Sequence, residues 1–181
     1  MKQPSIVSII GWHKVGKTTF LVALLRELRS QGLRVATIKH THGEFEVDHE
    51  GTDTWRFAEA GSDCVVIAGR DRAAFLTRTE QELSLDALIQ RLPCEVDLIV
   101  TEGFKAAPTD KIEVLATGDA PERATVAGRL IAVVADAPPA EVLASGVPCY
   151  ATGDAVGVVQ LLRDRGLLPP QACHPQGIAG S

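Results

Sequence analysis

The sequence predicts a three-layer α/β domain with a mainly parallel sheet and an antiparallel excursion. Short apolar runs alternate along the chain with segments whose apolar residues recur at helical spacing, as in a parallel α/β fold. A glycine-rich loop also separates the first apolar run, residues 6–10, from the amphipathic pattern that follows it. The antiparallel excursion is predicted from two strand-like segments, 64–68 and 73–77, joined by a short polar turn.

The glycine-rich loop, Gly11 to Thr18, fits the phosphate-binding pattern G-x-x-x-x-G-K-[ST]. At the start of a helix, such a loop directs successive backbone N–H groups at an anion. Lys17 is placed to reach the β- and γ-phosphates, Thr18 to ligate magnesium, and Thr19 to donate to the α-phosphate. The motif therefore predicts a P-loop NTPase fold that binds a nucleotide. The predicted nucleotide contacts are Gly11, Trp12, His13, Lys14, Val15, Gly16, Lys17, Thr18 and Thr19.

Acidic residues elsewhere complete the predicted site. Glu102 ends a hydrophobic strand and precedes a glycine, where a carboxylate can hold magnesium or its water shell opposite the loop. Asp48 and Asp53 are lesser candidates for the same metal shell. Asp136 follows another strand, so it could read the guanine base or cap a turn.

The spacing of apolar residues in the rest of the chain predicts the other strands and helices. We expect strands at 35–38, 96–101, 112–115, 130–135 and 147–151, and helical segments at 53–60, 83–92 and 155–165. One domain spans residues 1–168 in this interpretation, and the Pro- and Gly-containing tail 169–181 is expected to be disordered. Trp55 and Phe57 are interpreted as core or interface residues, and Cys64 and Cys149 as buried thiols in a reducing compartment.

Composition narrows the class of partner. The net charge is −5 and no block of Lys and Arg stands out, which argues against nucleic acid or an anionic membrane. No apolar run reaches 18 residues, and the first residues do not form a signal peptide, so we expect a cytoplasmic protein.

Several motifs beyond the loop occur in one order along the chain. They are Ile38-Lys39-His40-Thr41-His42, Phe45, Asp48, Gly51, Asp53, Ala60-Gly61, Glu102-Gly103-Phe104-Lys105 and Lys111-Ile112-Glu113-Val114. With these motifs the sequence resembles the MobB family, the molybdopterin-guanine dinucleotide biosynthesis adaptor proteins, over roughly residues 5–165. Two positions depart from the family pattern: Thr52 stands where lysine is frequent, and Ala116 where a basic residue is common.

The resemblance implies a homodimeric P-loop protein that binds GTP with Mg²⁺ and assists the guanylyltransferase that joins GMP to molybdopterin. It implies weak intrinsic GTPase activity at most, because no glutamine follows Glu102-Gly103 and no arginine is marked as a finger. The family pattern also implies a second candidate site, with contacts to nucleotide, pterin or partner. Its residues are Lys39, His40, His42 and Lys105.

Two other functions remain open at this point. A metallochaperone GTPase would gather histidines around a transition metal, and the available histidines are His13, His40, His42 and His49. A small-molecule kinase would need an acceptor pocket and an arginine-rich lid, and the arginines show no such cluster in the sequence.

Overall fold

The computed structural model describes residues 3–41, 48–119 and 127–170. Its strands are β1 (Ser5–Ile10), β2 (Val35–Lys39), β3 (Cys64–Ala68), β4 (Ala73–Thr77), β5 (Leu98–Glu102), β6 (Asp110–Val114), β7 (Arg129–Val134) and β8 (Cys149–Tyr150). Its helices are α1 (Lys17–Ser30), α2 (Asp53–Glu59), α3 (Leu85–Ile89), α4 (Ala140–Ala144) and α5 (Ala155–Asp164). The chain divides into two compact units, one formed by residues 1–40 and 92–181 and the other by residues 41–91. The single domain expected from the sequence stays a prediction.

The first unit contains a six-stranded sheet in the order β2-β5-β1-β6-β7-β8, with every neighbouring pair parallel. Apolar side chains on one face of this sheet pack against α1 and α5 in one buried cluster. Because parallel strands end at the same edge, β1, β2 and β5 deliver the residues that follow them to one place. The predicted mainly parallel α/β fold is confirmed.

The opposite face of the same sheet is less apolar. Leu115, Val133, Ala135 and Val142 form a small buried cluster there. Four polar side chains in the strands are also buried, namely Ser8, Thr101, Lys111 and Glu113. Buried polar groups require hydrogen-bond partners, so this face is constrained by more than apolar packing.

The second unit contains the predicted antiparallel excursion. β3 and β4 pair as a hairpin in which Val66 lies opposite Phe75. Helix α2 of the same unit is capped at its start by Thr52, whose hydroxyl accepts a hydrogen bond from the backbone N–H of Trp55. Cys64 is exposed, so its predicted burial is wrong. It shares the exposed hairpin face with Val66, because strand side chains alternate and the buried one here is Val65.

Other differences from the sequence-based expectation have local causes. Helix α4 was not predicted, because Pro138-Pro139 indicates a break; Pro139 instead stands at the helix N-cap, where a missing N–H costs nothing. The helical segment expected at 83–92 is shortened to α3. Phe57 is exposed in this chain and so is not a core residue. The segment 171–181, most of the tail expected to be disordered, lies outside the described residues. Among the residues that the structure describes, no helix is long and apolar enough to cross a bilayer.

Candidate functional site

The loop between β1 and α1 is held open by left-handed backbone. Gly11 has φ 139°, Lys14 has φ 63° and Gly16 has φ 97°, so three of its residues lie where side chains are disfavoured. Gly16 is the N-cap of α1 and supplies no side-chain cap. The start of α1 therefore has no side-chain cap, as expected where the N-terminus of a helix binds an anion.

Gly11 is required by packing as well as by its backbone conformation. A Cβ atom at this position would lie 2.3 Å from the carbonyl oxygen of Val114, at the end of β6. The chain thus passes too close to the neighbouring strand for any side chain. Val15 is half-buried against the core, whereas His13, Lys14 and Thr19 are exposed on the loop and the first turn of α1.

Lys17 is folded back across the loop. Its Nζ donates to the carbonyl oxygen of Gly11 at 3.0 Å and to that of Trp12. Both acceptors are neutral, and a phosphate oxygen would make a stronger, charge-assisted hydrogen bond with the same ammonium. The Lys17 ammonium is therefore held at the loop, and a phosphate oxygen could replace its two carbonyl acceptors.

The two main magnesium candidates are brought together. Thr18 Oγ1 donates to Glu102 Oε2 at 2.9 Å, joining the first turn of α1 to the end of β5. The other carboxylate oxygen lies 3.5 Å from Lys39 Nζ, and the Glu102 side chain is only 12% exposed. A hydroxyl and a carboxylate oxygen beside an open helix N-terminus are hard donors of the type that Mg²⁺ prefers, so these residues fit that ion.

Asp48 and Asp53, the lesser magnesium candidates, belong to the other unit. The Asp48 carboxylate accepts hydrogen bonds from the hydroxyls of Thr54 and Thr52 and from the His49 N–H. The Thr54 hydrogen bond makes the largest contribution to lowering the pKa of Asp48. Asp53 is the first residue of α2. Among the described residues, no group of three or more His, Cys, Asp or Glu side chains could hold a metal ion.

The turn after Glu102 carries the second candidate site. Gly103 and Phe104 both have positive φ, 96° and 54°, and the Phe104 ring centroid lies 4.7 Å from that of His40. The next residue, Lys105, places its Nζ 5.6 Å from the ring centroid of Trp12 in the phosphate-binding loop. His40 and Lys105 thus belong to the same unit as the loop, while His42 lies outside the described residues.

Asp136 lies just after β7, and its carboxylate has hydrogen-bond partners within the chain. Its carboxylate accepts hydrogen bonds from the Thr152 N–H and hydroxyl at 2.9 Å. The backbone hydrogen bond is the largest cause that lowers the pKa of Asp136. These contacts fit the alternative in which Asp136 caps a turn. Recognition of guanine by Asp136 stays a prediction.

Lys111 is the polar residue whose role the sequence did not reveal. It lies in β6, is fully buried, and donates from Nζ to the Phe104 carbonyl at 2.7 Å and to Thr109 Oγ1 at 2.8 Å. Burial lowers the pKa of its ammonium from 10.5 to about 8. A lysine directly before the predicted strand 112–115 is a detectable signal, but its acceptors lie in a loop whose course the sequence does not define.

The chain matches one protein family and several relatives of that family. The family described as molybdopterin guanine dinucleotide synthesis protein B, MobB, matches residues 6–136. A molybdopterin-guanine dinucleotide biosynthesis adapter protein of Haemophilus influenzae is 43% identical over 111 residues, which is 61% of this chain and 62% of that protein. The adapter protein of Escherichia coli is 36% identical over 138 residues, 74% of this chain and 79% of that one. The chain thus spans less than two thirds of the length of the Haemophilus relative.

Solved structures of MobB proteins have a similar fold. A crystal structure of Bacillus subtilis MobB superposes with a TM-score of 0.71 at 28% sequence identity, covering 92% of this chain and 99% of that one. Another structure, of molybdopterin-guanine biosynthesis protein B, has a TM-score of 0.70 at 30% identity, with coverage of 88% and 99%. The parallel sheet and the small antiparallel sheet therefore occur in a fold already seen in crystals.

Gly11→Ala tests whether the loop depends on close packing. We expect it to lower the free energy of unfolding by about 3 kcal/mol, because the new Cβ meets the Val114 carbonyl and the backbone is strained. Gly32→Ala is the matched control: its φ is also positive, at 77°, but its Cβ would meet nothing within 4 Å. The control should cost about 1 kcal/mol. Urea unfolding of both variants measures the difference, and equal costs would contradict the packing argument.

Proposed function

The chain belongs to the MobB family, and on that premise we propose that it is a GTP-binding adapter for the guanylyltransferase step of molybdopterin-guanine dinucleotide synthesis. The observation that carries the proposal is the hydrogen bond between Thr18 and Glu102 beside the uncapped start of α1. The proposed protein acts in the cytoplasm, contacts the guanylyltransferase and forms a homodimer, and molybdopterin is a further candidate ligand.

In the proposed complex, the phosphate chain of GTP accepts hydrogen bonds from the backbone N–H groups of the loop and from Lys17. Thr18 and Glu102 would hold a magnesium ion, which supplies positive charge against the β- and γ-phosphates. Lys39 Nζ lies 3.5 Å from the Glu102 carboxylate and partly balances its charge. The loop and the end of β5 thus supply separate parts of one nucleotide site.

An adapter role also requires that the bound GTP is not consumed quickly. Rapid hydrolysis needs a group that orients the attacking water and a cation that stabilises the transferring phosphoryl group. The residue after Glu102-Gly103 is Phe104, whose ring packs on His40 and has no group to orient water. The proposed protein therefore retains GTP and presents it, or itself, to the partner enzyme.

Support for a homodimer comes from the second unit. The hairpin face that contains Val66 and Phe75 has no charged residue and is exposed throughout; its members are Cys64, Val66, Ala68, Ala73, Phe75 and Thr77. Phe75 is 68% exposed. Exposed apolar patches of this kind mark interaction surfaces, and we propose that a second copy of this chain covers this one.

Lys17→Ala should lower the affinity for GTP about 100-fold, because it removes a charge-assisted contact to phosphate without disturbing the core. Arg26→Ala, which removes an exposed cation farther along α1, is the matched control and should change the affinity little. Calorimetric titration with GTP and then ATP measures both the loss and the proposed guanine preference. Undiminished binding by the Lys17 variant would place the nucleotide elsewhere, and equal affinity for ATP would remove the guanine preference.

Glu102→Gln should raise the Mg²⁺ concentration needed for half-maximal GTP binding about ten-fold, since the amide keeps the shape of the side chain but removes its charge. Asp97→Asn is the control, because Asp97 lies just before β5 at the opposite end and pairs with Arg34 instead. The measurement is GTP binding across a magnesium titration. An unchanged titration in the Gln variant would transfer the proposed metal role to Asp48 or Asp53.

Phe75→Asp should convert the proposed dimer to a monomer, because a charge buried at an apolar interface carries a large desolvation cost. Leu143→Asp introduces the same charge at another exposed apolar residue, 60% exposed in α4, and should leave the assembly unchanged. Sedimentation equilibrium of the wild-type chain and both variants measures the assembly. A wild-type monomer, or a Phe75 variant that still dimerises, would contradict the proposed interface.

A further inference from the structure

A row of polar side chains crosses the centre of the parallel sheet. In the strand register, Thr101 of β5 lies beside Ser8 of β1, and Ser8 lies beside Lys111 of β6. All three are fully buried. Thr101 Oγ1 donates to Ser8 Oγ at 2.8 Å, and Ser8 Oγ lies 2.6 Å from Thr109 Oγ1, which also accepts from Lys111. A continuous hydrogen-bonded chain therefore runs through the sheet and ends on the lysine.

At the lysine end of this row of hydrogen bonds, the Lys111 ammonium contacts the loop between β5 and β6. Lys111 Nζ donates to the carbonyl oxygen of Phe104, a residue held at φ 54°. Left-handed backbone is unfavourable for a residue with a Cβ, so this conformation depends on surrounding contacts. A buried ammonium that has lost its water needs such an acceptor, so the two groups stabilise each other.

The loop fixed in this way carries Lys105 to the phosphate-binding loop. Lys105 follows Phe104 directly, its Nζ lies 5.6 Å from the Trp12 ring centroid, and its backbone carbonyl accepts from the N–H of Ala127. An ammonium over an indole face is attracted by the ring quadrupole, but at a half-exposed ring this attraction is too weak to order a loop alone. The hydrogen bond from the buried Lys111 ammonium to Phe104 is a stronger, charge-assisted contact to the same loop.

We propose that Lys111 is a positioning residue, whose buried hydrogen bond to Phe104 holds Lys105 over Trp12 at the rim of the nucleotide site. Lys111 does not touch the nucleotide. It anchors the loop from the opposite face of the sheet, and Lys105 then adds a positive charge beside the phosphate-binding loop. The second step rests on the proposed nucleotide site, whereas the placement of Lys105 over Trp12 does not.

The test reads the two steps separately. In a Trp55→Phe background, Trp12 is the remaining tryptophan, so its fluorescence and its quenching by acrylamide report on Lys105 without any nucleotide. Lys111→Met and Lys105→Met should give the same change in Trp12 emission and quenching. The double variant should show no further change, because both substitutions remove one interaction. Thr101→Val, an isosteric change at the far end of the buried row, should leave Trp12 as in the parent.

With GTP present, Lys111→Met and Lys105→Met should each raise the Kd about three-fold, again without additivity. Should Lys111→Met fail to fold, Thr109→Val removes one of the two acceptors of the ammonium and should shift Trp12 emission in the same direction by less. The proposal is overturned if these variants at 111 or 109 leave Trp12 unchanged, or if Thr101→Val changes it equally. A parent that binds no GTP but shows the expected fluorescence changes would remove the proposed function and keep the positioning role.

Discussion

The hydrogen bond from Thr18 to Glu102 joins two parts of the chain that are 84 positions apart in sequence. It can form only because β1 and β5 are adjacent and parallel, which places the loop after one strand beside the last residue of the other. The apolar rows of these strands pack against α1 and α5 and fix the start of α1 relative to the sheet edge. The proposed nucleotide site therefore depends on the packing of the sheet as much as on the loop motif.

The opposite face of the sheet contributes through polar contacts. Parallel strands are normally near-continuous apolar runs, because helices cover both faces. Here Ser8, Thr101 and Lys111 interrupt those runs in one row, and their burial is tolerated because each has a hydrogen-bond partner. Replacing such a row by apolar residues is compatible with the fold, so the proposed value of Lys111 lies in fixing one conformation of the loop after β5.

Much of the fold followed from local pattern. The phosphate-binding loop, the strand ending at Glu102 and the hairpin of β3 and β4 were predicted because each depends on short-range spacing or on apolar periodicity. The meeting of Thr18 with Glu102 also followed, since parallel strands share one edge. Pattern rules failed where a residue can serve two purposes, as with Pro139, which indicates a break but starts α4.

The contacts of Lys111 could not be predicted in the same way. Periodicity places this lysine on one face of β6, but its acceptors depend on the left-handed conformation of Phe104, which no sequence rule indicates for a phenylalanine. The exposure of Cys64 was missed for a similar reason, because an apolar run does not reveal which face of a two-stranded hairpin stays uncovered. Both failures concern contacts between segments, which local spacing does not encode.

Single-turnover hydrolysis of GTP tests most directly whether this protein is an adapter. The rate is measured with the purified chain alone and again with the cognate guanylyltransferase carrying molybdopterin. In the sequence, no glutamine follows Glu102-Gly103 and no arginine is marked as a finger, and groups of these two kinds are each worth several orders of magnitude in rate. The account predicts GTP bound and hydrolysed more slowly than about one turnover per minute without the partner. A rate of many turnovers per second by the chain alone would contradict it and identify an autonomous enzyme.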